Sequence, residues 1–188
     1  MLSGLSLISS CTFNPNKNTP ATLNYDDIEP AVVEVSKVVV TDQYKPPLKL
    51  PNIEHKMINP PYRAAFNMMN SAFVAGGTSN VLHLNIIEAS IEAENTYDTV
   101  SNFKFWQDQS AKHYSAELLV EADLQSLEPP YNNLGSGHVS LTRELVIADT
   151  TSVLKREEAL NKMVEALISD LRQGLSETLG QKLLILRP

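Results

Sequence analysis

The group with the most chemistry in this chain is its single cysteine, Cys11. One thiol cannot close an intramolecular disulfide and cannot build a Cys-rich zinc site. Alone it can be a nucleophile or a point of covalent acylation. The remaining candidate ligands and bases are His55, His83, His113 and His138. No two of them stand four residues apart and no HExxH run is present, so a helix-borne zinc protease site fails. His113 and His138 lie near the starts of two strands expected to pair, where they could approach each other. The plainer reading is surface histidines at strand ends. Gly135-Ser136-Gly137 is too short to cradle phosphate, and there is neither a GxxxxGK[ST] loop nor a GxSxG elbow. Carboxylates are numerous, but nothing singles out an acid and a base. The chain therefore reads as a non-enzyme, with no catalytic residue, no metal site and no cofactor.

Two segments suit recognition instead. Phe103, Phe105 and Trp106 cluster in an otherwise polar stretch between Tyr97 and Ser110. Aromatics in a polar loop are typical interface anchors, although they can also fold back and cap a sheet. The second segment is Pro51-Asn52-Ile53-Glu54-His55, inside a run bounded by Pro46 and Pro61. Its prolines impose an extended loop poor in hydrogen bonds. Such a loop can carry function, and Pro51, Asn52, Glu54 and His55 are its candidate partner-binding residues. A crossover that covers a sheet edge is the simpler account.

Composition narrows the partners. A net charge of -7 argues against a nucleic-acid footprint, which needs clustered Lys and Arg. No stretch approaches the roughly 18 apolar residues of a membrane span. With 188 residues, 43% of them apolar, the chain suits one domain with a core of its own.

The position of Cys11 matters more than its number. Residues 1–10 are uncharged, small and apolar, and the composition turns polar immediately after them. Ile8-Ser9-Ser10-Cys11 resembles the lipobox of a bacterial lipoprotein signal, an aliphatic residue and two small ones before Cys. An upstream start would supply the missing basic n-region. The resemblance implies cleavage before Cys11, acylation of that residue and anchoring to a membrane. Thr12 in place of Asp favours the outer over the inner membrane, on the periplasmic side. The expected organisation is a signal over 1–10, a polar tether over 11–27 and one domain over 28–188.

The elements that must position these groups follow from periodicity. Ala31 to Tyr44 is dense in Val and predicts one strand. Asn59-Pro60-Pro61 predicts a helix start with Asn59 as cap. Tyr62, Phe66, Met69 and Phe73, flanked by Ala65 and Ala72, form its expected core face, and Gly76-Gly77 its end. Val81 to Asn95 predicts a strand whose apolar parity switches near Ile86-Ile87, which suggests a bulge. Tyr114 to Leu124 and Val139 to Ile147 alternate as half-buried strands joined in a hairpin. In the second, Arg143 has core-face parity and should snorkel outward or pair with a carboxylate. From Ser152 to Thr178 a leucine-rich stripe predicts a long helix, capped at 150–152 and ended by Gly180, with Leu183 to Leu186 as a short closing strand. The fold class is α+β: a two-layer sandwich of a four-stranded sheet with two helices on one face, in the order βαβββα, ending in the long helix.

A lipobox cysteine, a polar tether and this element order resemble bacterial envelope lipoproteins of the transport-auxiliary kind, PqiC-like or LptE-like. Tyr44, Pro46, Pro47, Leu48, Pro51, Asn52, Glu54 and His55 also match a stretch shared by a group of proteobacterial lipoproteins. The resemblance implies a lipid-anchored accessory or structural component of an envelope transport or secretion assembly. It would dock on an envelope protein complex, through the aromatic and Pro-rich loops. The alternative is a periplasmic module that binds a small molecule or lipid between helix and sheet. Neither brings catalytic residues.

Overall fold

The computed structural model describes residues 23–25, 28–97 and 110–186. In chain order the elements are β1 (Ala31–Val33), β2 (Lys37–Asp42), α1 (Pro61–Ala72), β3 (Phe73–Ala75), β4 (Val81–Tyr97), β5 (Ser110–Gln125), β6 (Asn133–Ala148) and α2 (Val153–Glu177). Strands β2-β4-β5-β6 form a four-stranded sheet, and β1 pairs with β3 in a small parallel one. The fold is α+β, with both helices packed on the apolar face of the large sheet.

Alternation aims that face. Tyr114, Ala116, Leu118, Val120, Ala122 and Leu124 are all buried, as their spacing of two requires. The long strand β4 keeps to the same face through a bulge. Ile86 pairs with Val120 and Glu88 with Leu119, so Ile87 has no partner in the ladder. Leu82, Leu84 and Ile86 before it and Ala89 and Ile91 after it are all buried. The parity switch in the sequence is this bulge. Antiparallel pairing of β5 with β6 completes the expected hairpin, and Arg143 Nε donates to Asp170 Oδ2 at 3.1 Å.

The long helix starts where expected, with Ser152 Oγ accepting from the Lys155 amide at 3.5 Å. Its stripe Leu160, Met163, Val164, Leu167, Ile168, Leu171 and Leu175 is wholly buried. No helix among the described residues is long and apolar enough to cross a membrane.

Several expectations change. The Val-rich strand is two strands: the chain leaves the small sheet after Val33, and the Ser36 amide bonds the Ser79 and Asn80 carbonyls before β2 begins. Asn59 does not cap α1; Pro60 holds that position, and Asn59 Nδ2 donates to Asn161 Oδ1 at 2.6 Å. The buried face of α1 is Ala64, Ala65, Met68, Met69 and Ala72, while Phe66 is 37% exposed. Small residues let this helix approach the sheet and α2 closely, which turns Phe66 outward. The helix ends at Ala72 and passes straight into β3, before Gly76-Gly77. Gly180 does not stop the long helix, because a π-turn over Thr178–Lys182 carries it on. Beyond it, Leu186 makes a single antiparallel bridge to Val33 in place of a closing strand. At the other end, Leu23 and Tyr25 pack against the core.

Candidate functional site

The Pro-rich segment covers a sheet edge. Strand β2 pairs with β4 only as far as Ile86, which leaves the second half of β4 without a neighbour on that side. Residues 51–53 fill the gap: the Ile53 amide bonds the Ile91 carbonyl at 2.8 Å, and the Ala93 amide bonds the Pro51 carbonyl at 2.9 Å. A short 3-10 turn, Glu54–Lys56, then reverses the chain. This supplies partners that an unpaired edge would lack.

Asn52 is buried, and Glu54 is fully buried. Tyr44 Oη donates to Glu54 Oε1 at 2.9 Å, and the Ile91 amide donates to Oε2 at 3.3 Å. A buried carboxylate needs such donors. Burial, followed by the hydrogen bond and charge of Glu54, holds the Tyr44 hydroxyl far above the usual phenol range. Pro51 is exposed, and His55 is half-buried with Nδ1 lacking a hydrogen-bond partner among the described residues. Cys11, Phe103, Phe105 and Trp106 lie outside the described residues.

His113 and His138 are not brought together. Antiparallel pairing sets His138 against Glu121 and His113 against Val146, which separates the histidines by roughly 25 Å along the strands. His113 Nε2 instead lies 3.5 Å from Glu144 Oε2. Among the described residues no three His, Cys, Asp or Glu side chains could hold a metal ion.

What the loop does create is a cleft of about 470 Å³, between residues 50–58, the ends of β4 and β5, and the first turns of α2. That is within the range of small-molecule sites, roughly 300–1,000 Å³. Ile53 and Met57 line it and also pack on the core. Its apolar mouth stays in water: Leu50 is 66% exposed, Ile58 41% and Val153 66%. Three cations, Lys56, Lys112 and Arg156, share the lining with one acid, Glu157. Tyr114 is buried at the wall. Burial raises its hydroxyl pKa, the nearby Arg156 charge opposes the rise, and Asp149 adds to it. The cleft escaped sequence reading because its walls come from four separate stretches of chain. The one local signal was Leu50 and Ile58, apolar residues among prolines and polar neighbours.

Among the described residues, neither helix packs on the opposite face of the sheet. Across β4, β5 and β6 its register places Glu88, Glu92, Glu94, Glu117, Glu121, Asp123 and Glu144 on one face, with His83, His113 and His138 between them, while Lys45 of the Pro-rich segment borders Glu88, Glu92 and Glu117.

No known family model matches the chain, and no curated protein sequence matches it. The solved structure of a minor lipoprotein from Acinetobacter baumannii resembles it with a TM-score of 0.38 and 11% identity. That likeness covers 78% of this chain and 92% of the other. A resemblance this shallow decides neither architecture nor role.

Proposed function

We propose that this chain is a non-enzymatic binding domain of the bacterial envelope, tethered to the outer membrane through acylated Cys11, that takes an apolar small molecule or lipid in the cleft beneath its Pro-rich loop. The observation that supports this is the cleft itself, whose apolar side chains open to water through Leu50, Ile58 and Val153 beside a group of cations. Exposed apolar side chains gathered at one concavity mark a binding site more often than a bare surface. Native mass spectrometry of the purified protein tests it. Wild type should retain a bound small molecule that Ile53→Trp, which fills the cleft, excludes. An empty wild-type protein that also binds no added amphiphile would refute the reading. The tether is tested apart, by labelling with a clickable fatty acid. Wild type should take up label and Cys11→Ser should not; equal label in both would remove the anchor.

The acidic sheet face favours a second reading. In it the domain docks a basic partner surface within a transport or secretion assembly, aided by Phe103, Phe105 and Trp106. Replacing Glu117 and Glu121 by Lys should then strip envelope proteins that co-purify with wild type. Unchanged co-purification would count against this face.

A further inference from the structure

We infer that the cleft selects a single-chain amphiphile with an anionic head, the acyl chain against Ile53 and Met57 and the head among Lys56, Lys112 and Arg156. The inference rests on the cleft being a ligand site and assigns the ligand's charge. The chain carries a net charge of -7, yet this concavity gathers three cations against Glu157 alone. Lys56 and Lys112 have no ion-pair partner among the described residues. Arg156 spends one guanidinium nitrogen on a 3.5 Å bond to the Thr151 carbonyl, while its Nε is buried without a hydrogen-bond partner among the described residues. Two ammonium groups and a guanidinium gathered beside apolar side chains fit a carboxylate or phosphate head. The neighbouring Leu50 and Met57 fit the chain that such a head would carry. A cationic ligand would meet like charge, and a neutral one would gain nothing from the three cations.

Calorimetric titration of the full chain carrying Cys11→Ser, free of detergent, provides the test. The probes are dodecanoate, dodecyl phosphate, 1-dodecanol and dodecyltrimethylammonium. At least one anionic probe should bind about tenfold tighter than dodecanol, with the cation weakest. Whichever of the two anions binds tighter identifies the head chemistry. Lys112→Gln with Arg156→Gln should abolish the preference, lowering the affinity of the anions to that of dodecanol. If that double variant fails to fold, exposed Lys56→Glu replaces it and should weaken anion binding several-fold. Equal affinity for all probes, or a preference kept in these variants, overturns the anionic assignment but leaves an apolar binding cleft. No binding by any probe overturns both. A ligand-free dimer that Lys56→Glu dissolves would put a second copy of the chain in the cleft, and would also overturn the assignment.

Discussion

The Tyr44 hydroxyl donates to Glu54 Oε1 at 2.9 Å, and this bond joins the start of the Pro-rich loop to its turn. The other carboxylate oxygen receives the Ile91 amide, so Glu54 ties the loop to the bare half of β4. Tyr44→Phe should lower stability by about 1–2 kcal/mol, because a fully buried carboxylate then loses a donor. Glu54→Ala should cost more, since it strands the Ile91 amide and opens a void. Urea unfolding measures both, and a Tyr44→Phe midpoint equal to wild type would refute the tie.

Tyr25 gives the fold an alkaline limit. Burial, followed by the charge of Glu165, pushes its hydroxyl from 10.0 up to about 12. Above pH 10 the unfolded chain releases this proton before the folded one does. The folded state then holds more protons, and stability falls as pH rises. The contribution is complete below pH 10 and is lost by about pH 12. Between those values the urea midpoint of wild type should drop more steeply than that of Tyr25→Phe. Parallel curves would show that Tyr25 titrates no differently in the two states.

The orientation of α1 separates two neighbouring large residues. Met69 is fully buried, whereas Phe66 is 37% exposed. Met69→Ala should cost about 2–5 kcal/mol by opening a cavity. Phe66→Ala should cost under about 1 kcal/mol, as surface changes do. Thermal or urea melts compare them directly, and a reversed order would mean that the helix is rotated toward its aromatic stripe.

Helix α2 crosses β6 at Gly174, where an added Cβ would sit 2.8 Å from Val139 Cγ1. Gly to Ala inside a helix normally gains close to 1 kcal/mol. Here it should lose about 1–2 kcal/mol, because a β-branched neighbour cannot swing away. In a Val139→Ala background the usual gain should return. Strict additivity across this double-mutant cycle would exclude the contact.

Local patterns in the sequence determined much of this protein. The alternation from Tyr114 to Leu124, the parity switch at Ile86-Ile87, the Ser152 cap and the leucine stripe of α2 each depend on residues a few positions apart. Their physical causes are the pleat, the bulge, an orphan amide and a helical period. They were legible because backbone geometry and side-chain spacing share the same short range.

Tertiary structure alone decided the rest. Both Phe66 and Met68 lie on plausible apolar stripes of α1, and only packing against the sheet and α2 chose between them. The valines at 32–40 suit one strand, yet the pairing of Val33 with Ala75 and of Val38 with Leu82 divides them between two sheets. A carboxylate reads as exposed until Tyr44 and Ile91 enclose it, and those donors lie ten and thirty-seven residues away. The cleft draws Ile53, Lys112 and Arg156 from three distant stretches. Burial, pairing and concavity are properties of residues that meet only after folding, so no local period could announce them.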